Sequence, residues 1–150
     1  MIPKRIVLDT NVCLDLFVFR DARWSVLLTA LQSGEVEAVT REDCRTEWQI
    51  VLGYPHLKLD EQRRHEVHAE FDALIHCHPL PDPATEVRRL PICKDKDDQK
   101  FLEVARDLQA ATLITKDKAL LKLARKTQRE GLFAIMTPEI WTASCSNTEA

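Results

Sequence analysis

Apolar positions in this chain follow two rhythms: short runs of a few residues, and stripes spaced three and four residues apart. The runs at 5–9, 36–40, 111–115 and 132–136 predict four strands. Between them lie helical stripes. Trp24, Leu27, Leu28 and Leu31 share one face of a helix over 21–32, which Gly34 stops. Thr40 reads as the cap of a helix over 41–52, with Asp43 three residues on, Gly53 as its end and Pro55 beyond. Val67, Phe71, Leu74 and Ile75 predict a helix over 60–77 whose polar first half faces water. Phe101, Leu102, Ala105 and Leu108 mark a helix opened by Asp97-Asp98. A last helix runs from Asp117 or Lys118 to Glu130, with Gly131 as its stop. The segment 78–91 carries Pro79, Pro81, Pro83 and Pro91 and predicts an extended loop.

Strands that alternate with helices predict an α/β fold, a three-layer sandwich. Its centre is a mostly parallel sheet of four to five short strands flanked by helices. Residues 1–143 form one domain in this reading, and 144–150 a frayed polar tail.

Composition narrows the class. With 45% apolar residues the chain has a core to bury and is not disordered. Five cysteines in irregular spacing, with no C-x-x-C, argue against a disulfide framework or a zinc site and fit a reducing, cytoplasmic setting. The N-terminal apolar run ends at Asp9, too short for a signal peptide, and no later run suits a membrane span. A formal charge of −3 argues against binding nucleic acid by bulk charge alone.

The acids carry the chemistry. Asp9 directly follows Ile6-Val7-Leu8, and Asp117 follows Leu113-Ile114-Thr115 after one spacer, so both fall at carboxyl ends of strands, where sites of parallel sheets lie. Either alone could be an ordinary helix cap. Glu47 is i+3 from Cys44 and i−4 from Val51, at the edge of a buried stripe. It is either metal-bound or paired with a nearby Arg. Within Cys93-Lys94-Asp95-Lys96-Asp97-Asp98, Asp98 lies i−3 from Phe101 and i−4 from Leu102 and points along the buried side. Asp97, roughly 100° away around the helix, is the better cap. Such an oxygen cluster suits Mg²⁺ or Mn²⁺, not zinc. His65, His68, His76 and His78 have no partner acids at ligand spacing and read as surface and loop residues. Asp15 reads as a surface or rim acid. Lys94, Lys96 and Lys100, and six bases from Lys116 to Arg129, are either a backbone-binding patch for RNA or solvated faces.

Leu8-Asp9-Thr10-Asn11, Glu47, Asp97-Asp98 with Phe101-Leu102 and Ala105, and Leu113-Ile114-Thr115-Lys116-Asp117, in this order, resemble the PIN domain over residues 6–138. The Cys93 to Asp98 run is similar to that of the VapC-like toxin subgroup. The resemblance implies a Mg²⁺- or Mn²⁺-dependent endoribonuclease acting on single-stranded RNA by metal-activated water, leaving a 5′-phosphate and a 3′-hydroxyl. It implies the toxin role of a toxin–antitoxin pair, with a cognate antitoxin and a homodimer. Asp9, Glu47, Asp98 and Asp117 would be the metal-binding and catalytic acids, with Asp95 and Asp97 as outer candidates. Thr10, Asn11 and Thr115 would orient the ligands. Lys96, Lys100, Lys116 and Lys118 would contact RNA. Two alternatives stay open: a catalytically weak PIN-like module that binds RNA or a partner, and a Mg²⁺-dependent phosphatase. Asn11, where a dehalogenase-type phosphatase has a second acid, weakens the latter.

Overall fold

The protein is described by a computed structural model over residues 4–79, 82 and 86–148. Pro81 and Pro83 of the predicted loop lie outside these residues, as do 149–150 of the predicted tail.

Five parallel strands among the described residues form one sheet in the order β3-β2-β1-β4-β5. β1 (Lys4–Leu8) is central, with Ile6, Val7 and Leu8 buried, as a strand covered on both faces requires. β2 (Val36–Arg41) pairs along one side of β1 and β4 (Thr112–Ile114) along the other. β3 (Ile75–His78) and β5 (Ala134–Met136) form the edges. The chain steps outward from β1 to β3 and then returns to the opposite side of β1. The order therefore reverses between β1 and β4, which opens a crevice at their carboxyl ends.

After β1 comes a short helix, α1 (Thr10–Cys13), which widens into a π turn over Leu14–Val18. A 3₁₀ turn at Ala22–Trp24 then leads into α2 (Ser25–Ser33). This helix ends as its sequence predicts: Gly34 takes φ 79°, and its amide bonds to the carbonyl of Leu31. α3 (Glu42–Leu52) and α4 (Glu61–Leu74) follow, the polar first turns of α4 being exposed. A 3₁₀ turn at Lys96–Asp98 opens α5 (Gln99–Asp107). α6 (Lys118–Leu121), α7 (Ala124–Arg129) and α8 (Pro138–Thr148) complete the chain. No helix among the described residues is long and apolar enough to cross a membrane.

Alternation along the strands separates two cores. Ile6 and Leu8 pack with Ala38, Ile75 and Ile114 against α1, α2, α3, α4 and α8. Val7, Val39, Leu113 and Ile135 face the other way, against Phe101, Leu102, Ala105 and Leu120. The first core is anchored by aromatics. Trp48 stacks on Phe71 with centroids 4.8 Å apart, and Phe17 meets both edge-on at 6.0 and 6.2 Å.

Several expectations need correcting. The helix predicted over 60–77 stops at Leu74, because Ile75 turns extended and Ile75–His78 pair with β2 as an edge strand. Thr40 stays within β2, and Arg41 occupies the cap position without a side-chain cap bond. Arg41 is instead buried, and its guanidinium binds Asp43 at 2.7 Å and Glu103 of α5 at 2.8 Å, which ties β2 to α5. The helix predicted from 117 to 130 divides where Leu123 N–H bonds to Leu120, an i→i−3 tightening between α6 and α7. The π turn over 14–18 has no counterpart among the predicted elements, and helical backbone continues through 144–148.

Candidate metal centre

The crevice between β1 and β4 gathers three carboxylates. Asp9 is the first residue past β1, and its amide still bonds to Ile114 at 3.0 Å, so the ladder to β4 fixes its backbone. Its carbonyl accepts from Val12 and Cys13 and starts α1. Its side chain is buried at 4% exposure, and Oδ2 accepts from the Thr115 hydroxyl at 2.6 Å and from Asn11 Nδ2 at 3.4 Å.

Thr115 is the first residue past β4 and is fully buried. Its Oγ1 also accepts the amide of Asp117 at 3.0 Å, so one hydroxyl positions both strand-end acids. Asp117 accepts from the Ala119 amide at 2.8 Å, which makes it a helix cap as well as a site residue. Asp98 comes from the other side, at the junction of the 3₁₀ turn and α5, and is 9% exposed. Asp9, Asp98 and Asp117 can each offer an oxygen such that all three lie within 4.8 Å of one another.

Three acids this close do not all ionise alone. Burial pushes the Asp9 carboxyl up to about 6, opposed by the Thr115 hydrogen bond and the Thr10 amide and reinforced by the charges of Glu47 and Asp117. Burial also raises Asp98, and the adjoining Asp117 carboxyl and the charge of Asp9 raise it further. Asp117 is lowered, chiefly by its hydrogen bond with Asp98, so this pair tends to retain one proton. A divalent cation among them would let all three ionise. The donor set fits one: it is all oxygen, as Mg²⁺ or Mn²⁺ prefers. Asp98 Oδ2 and Asn11 Oδ1 are moreover buried without a hydrogen-bond partner.

Glu47 stands apart from this triad. One of its oxygens accepts from the Thr10 hydroxyl, and the other accepts from Lys100 Nζ at 2.9 Å. Thr10 therefore touches Glu47, whereas Asn11 and Thr115 touch Asp9. Asp97 is exposed and offers its backbone carbonyl to Lys100. The cap of the 3₁₀ turn is Asp95, whose side chain accepts the Asp97 amide at 3.0 Å; this reverses the expectation that Asp97 caps. Lys96, Lys116 and Lys118 are exposed on the rim, while Lys100 is half-buried.

Two features of the candidate site escape the sequence. Asp15 is buried in the π turn, not on the rim, and accepts from Lys116 Nζ at 2.6 Å and Trp24 Nε1 at 3.2 Å. Its signal was there: a solitary acid inside the apolar run from Val12 to Val18. Lys100, expected to contact RNA or to lie on a solvated face, is the partner of Glu47. The histidines lie elsewhere, although three have acid partners after all: His68 meets Asp72 at 3.2 Å, His76 meets Glu37 at 3.2 Å and His78 meets Glu37 at 4.0 Å. Cys13, Cys44, Cys77 and Cys93 are free thiols.

Comparison with known proteins bears on the family and the fold. A family model described as PIN domain matches residues 5–119. The chain is also similar to one in the crystal structure of VapBC2 from Rickettsia felis bound to a DNA fragment from their promoter. The TM-score is 0.55 at 12% identity, covering 87% of this chain and 96% of that one, a likeness of fold. No curated protein matches.

Proposed function

This chain belongs to the PIN domain family, and from that premise we propose that it is a Mg²⁺- or Mn²⁺-dependent endoribonuclease acting on single-stranded RNA. The observation that carries the proposal is the Asp9, Asp98 and Asp117 triad at the β1/β4 crevice, with a buried, unpartnered oxygen on Asp98. These three side chains would hold the cation, and Glu47 completes the acidic site at its edge. When bound, a divalent cation supplies positive charge to the scissile phosphate and acidifies water at the site.

The chain's own residues do the rest. Thr115 fixes Asp9 and, through the Asp117 amide, the start of α6, so two acids keep their relative position. Asn11, in the first turn of α1, steadies Asp9 from its own strand end. Lys96 and Lys118 present exposed ammonium groups beside Asp98 and Asp117, where they meet RNA phosphates. Lys116 adds a third, tethered through Asp15. This local positive rim lets a chain of net charge −3 approach RNA.

In the same proposal the protein is the toxin of a toxin–antitoxin pair, held by a cognate antitoxin and acting as a homodimer in the cytoplasm. The shared fold with a chain of the VapBC2 complex supports a partner of that kind.

The test is direct. Purified protein with single-stranded RNA and Mn²⁺ is expected to cleave it, and Asp9→Asn to reduce cleavage to background. Cleavage that survives in Asp9→Asn overturns the site. Metal-independent RNA binding without cleavage points to a binding module instead. Growth arrest on expression, relieved by the product of a small neighbouring gene, tests the toxin role, and harmless expression contradicts it.

A further inference from the structure

We propose that Lys100 is a built-in cation that takes the place of a second divalent ion, so that this site binds one metal ion per chain. The inference rests on the reading of Asp9, Asp98 and Asp117 as the metal ligands, and concerns what lies beside them.

Two-metal sites hold their ions about 3.5–4 Å apart and need acids for both. Here the acid left for a second ion is Glu47, and each of its oxygens already accepts a hydrogen bond. Thr10 donates to one and Lys100 Nζ to the other, at 2.9 Å. The ammonium is itself seated: it also donates to the Asp97 carbonyl and lies 5.2 Å from the Phe101 ring centroid, in cation–π range. The two side chains are mostly covered, at 18% exposure for Lys100 and 29% for Glu47. Other nearby acids are committed or remote. The Asp95 side chain caps the 3₁₀ turn, and Asp97 is exposed. Electrostatics agrees. One divalent ion serves the triad, and the ammonium serves Glu47. A second divalent ion would have to displace a charge already in contact with its only ligand. Lys100 is therefore a positioning residue, holding Glu47 away from the first ion and closing the second place.

The test is Mn²⁺ stoichiometry on the full chain, by calorimetry and by the electron paramagnetic resonance of unbound Mn²⁺. The wild-type protein is expected to bind one ion. Lys100→Met keeps the aliphatic stem and removes the charge, and is expected to bind two. Adding Glu47→Gln to Lys100→Met should return the count to one, and Lys100→Arg should keep it at one. Glu47→Gln alone should change the affinity of the first ion less than about threefold, while Asp9→Asn should weaken it more than a hundredfold. Circular dichroism checks folding; if Lys100→Met does not fold, Lys100→Gln takes its place. Two ions of similar affinity in the wild type overturn the inference. So does a single ion in Lys100→Met, or a first ion lost in Glu47→Gln as fully as in Asp9→Asn. Absence of any Mn²⁺ binding by the wild type is a distinct outcome: it removes the metal reading itself, and this inference with it.

Discussion

The hydroxyl of Thr115 donates to Asp9 Oδ2 at 2.6 Å and accepts the amide of Asp117 at 3.0 Å. One buried oxygen thereby links two acids 108 residues apart, numbered 9 and 117, at the ends of adjacent strands. Thr115→Val preserves shape and removes both bonds. It leaves a buried carboxylate without its closest donor and an amide without its acceptor, so stability should fall by about 1–3 kcal/mol. Mn²⁺ affinity should fall roughly tenfold, as for other residues that orient a ligand. Thr115→Ser should stay near wild type. Thermal melts with and without Mn²⁺, and calorimetric titration, decide; a Thr115→Val protein indistinguishable from wild type contradicts the role.

The Asp9 carboxyl predicts a pH dependence of the metal-free protein. It sits at about 6 when folded, against 3.8 for a free side chain. A raised carboxyl binds its proton more tightly folded than unfolded, so stability falls as pH rises from about 4 through about 6. Above that range the penalty approaches about 3 kcal/mol. Asp9→Asn lacks it. The wild type should therefore lose stability relative to Asp9→Asn between pH 4.5 and 7.5 in urea unfolding, and Mn²⁺ should reverse the loss at the higher pH. A wild type that gains stability relative to Asp9→Asn as pH rises would contradict the burial of this acid.

Much of this site was legible because its acids stand next to strong local signals. Asp9 and Asp117 follow buried strands, and Asp98 takes its direction from Phe101 and Leu102 on the same helix. The pairing of Glu47 was not legible. Its edge position on α3 is local, but Lys100 is 53 residues away, and only the packing of α5 beside α3 brings the ammonium to it. The same limit explains β3. Leu74 and Ile75 continue a helical stripe, and it is the open edge of β2 that draws Ile75–His78 into the sheet. Asp15 went astray for a related reason, since the π turn that turns it inward has no counterpart in the apolar periodicity.

The aromatic cluster under α3 offers a stability test. Trp48 is 1% exposed and stacks on Phe71, and its indole N–H is buried without a partner. Trp48→Ala should cost about 3–5 kcal/mol, for lost burial and the cavity left behind. Trp48→Phe should cost clearly less, because it keeps a ring on Phe71 and removes an unsatisfied donor. Equal losses for the two variants in chemical denaturation would show that ring stacking contributes little here.

Asp15 separates two roles of one buried acid. Its Oδ2 accepts from Trp24 Nε1 inside the first core and from Lys116 Nζ at the rim. Asp15→Ala strips both donors of their acceptor. The indole stays buried and bears the full penalty, whereas Lys116, 41% exposed, regains water. The cost should be about 1–3 kcal/mol, set mainly by the indole. Asp15→Asn keeps a carbonyl for Trp24 and loses only the charge attraction to Lys116, which exposure makes weak, so its melting temperature should lie between wild type and Asp15→Ala. The salt dependence of RNA binding distinguishes the two roles further. In both variants Lys116 is released from its tether, so the slope of log affinity against log salt should steepen or hold, never flatten. A flatter slope in Asp15→Asn would mean that Lys116 reaches RNA only when Asp15 holds it, and that the acid positions the substrate as well as the core.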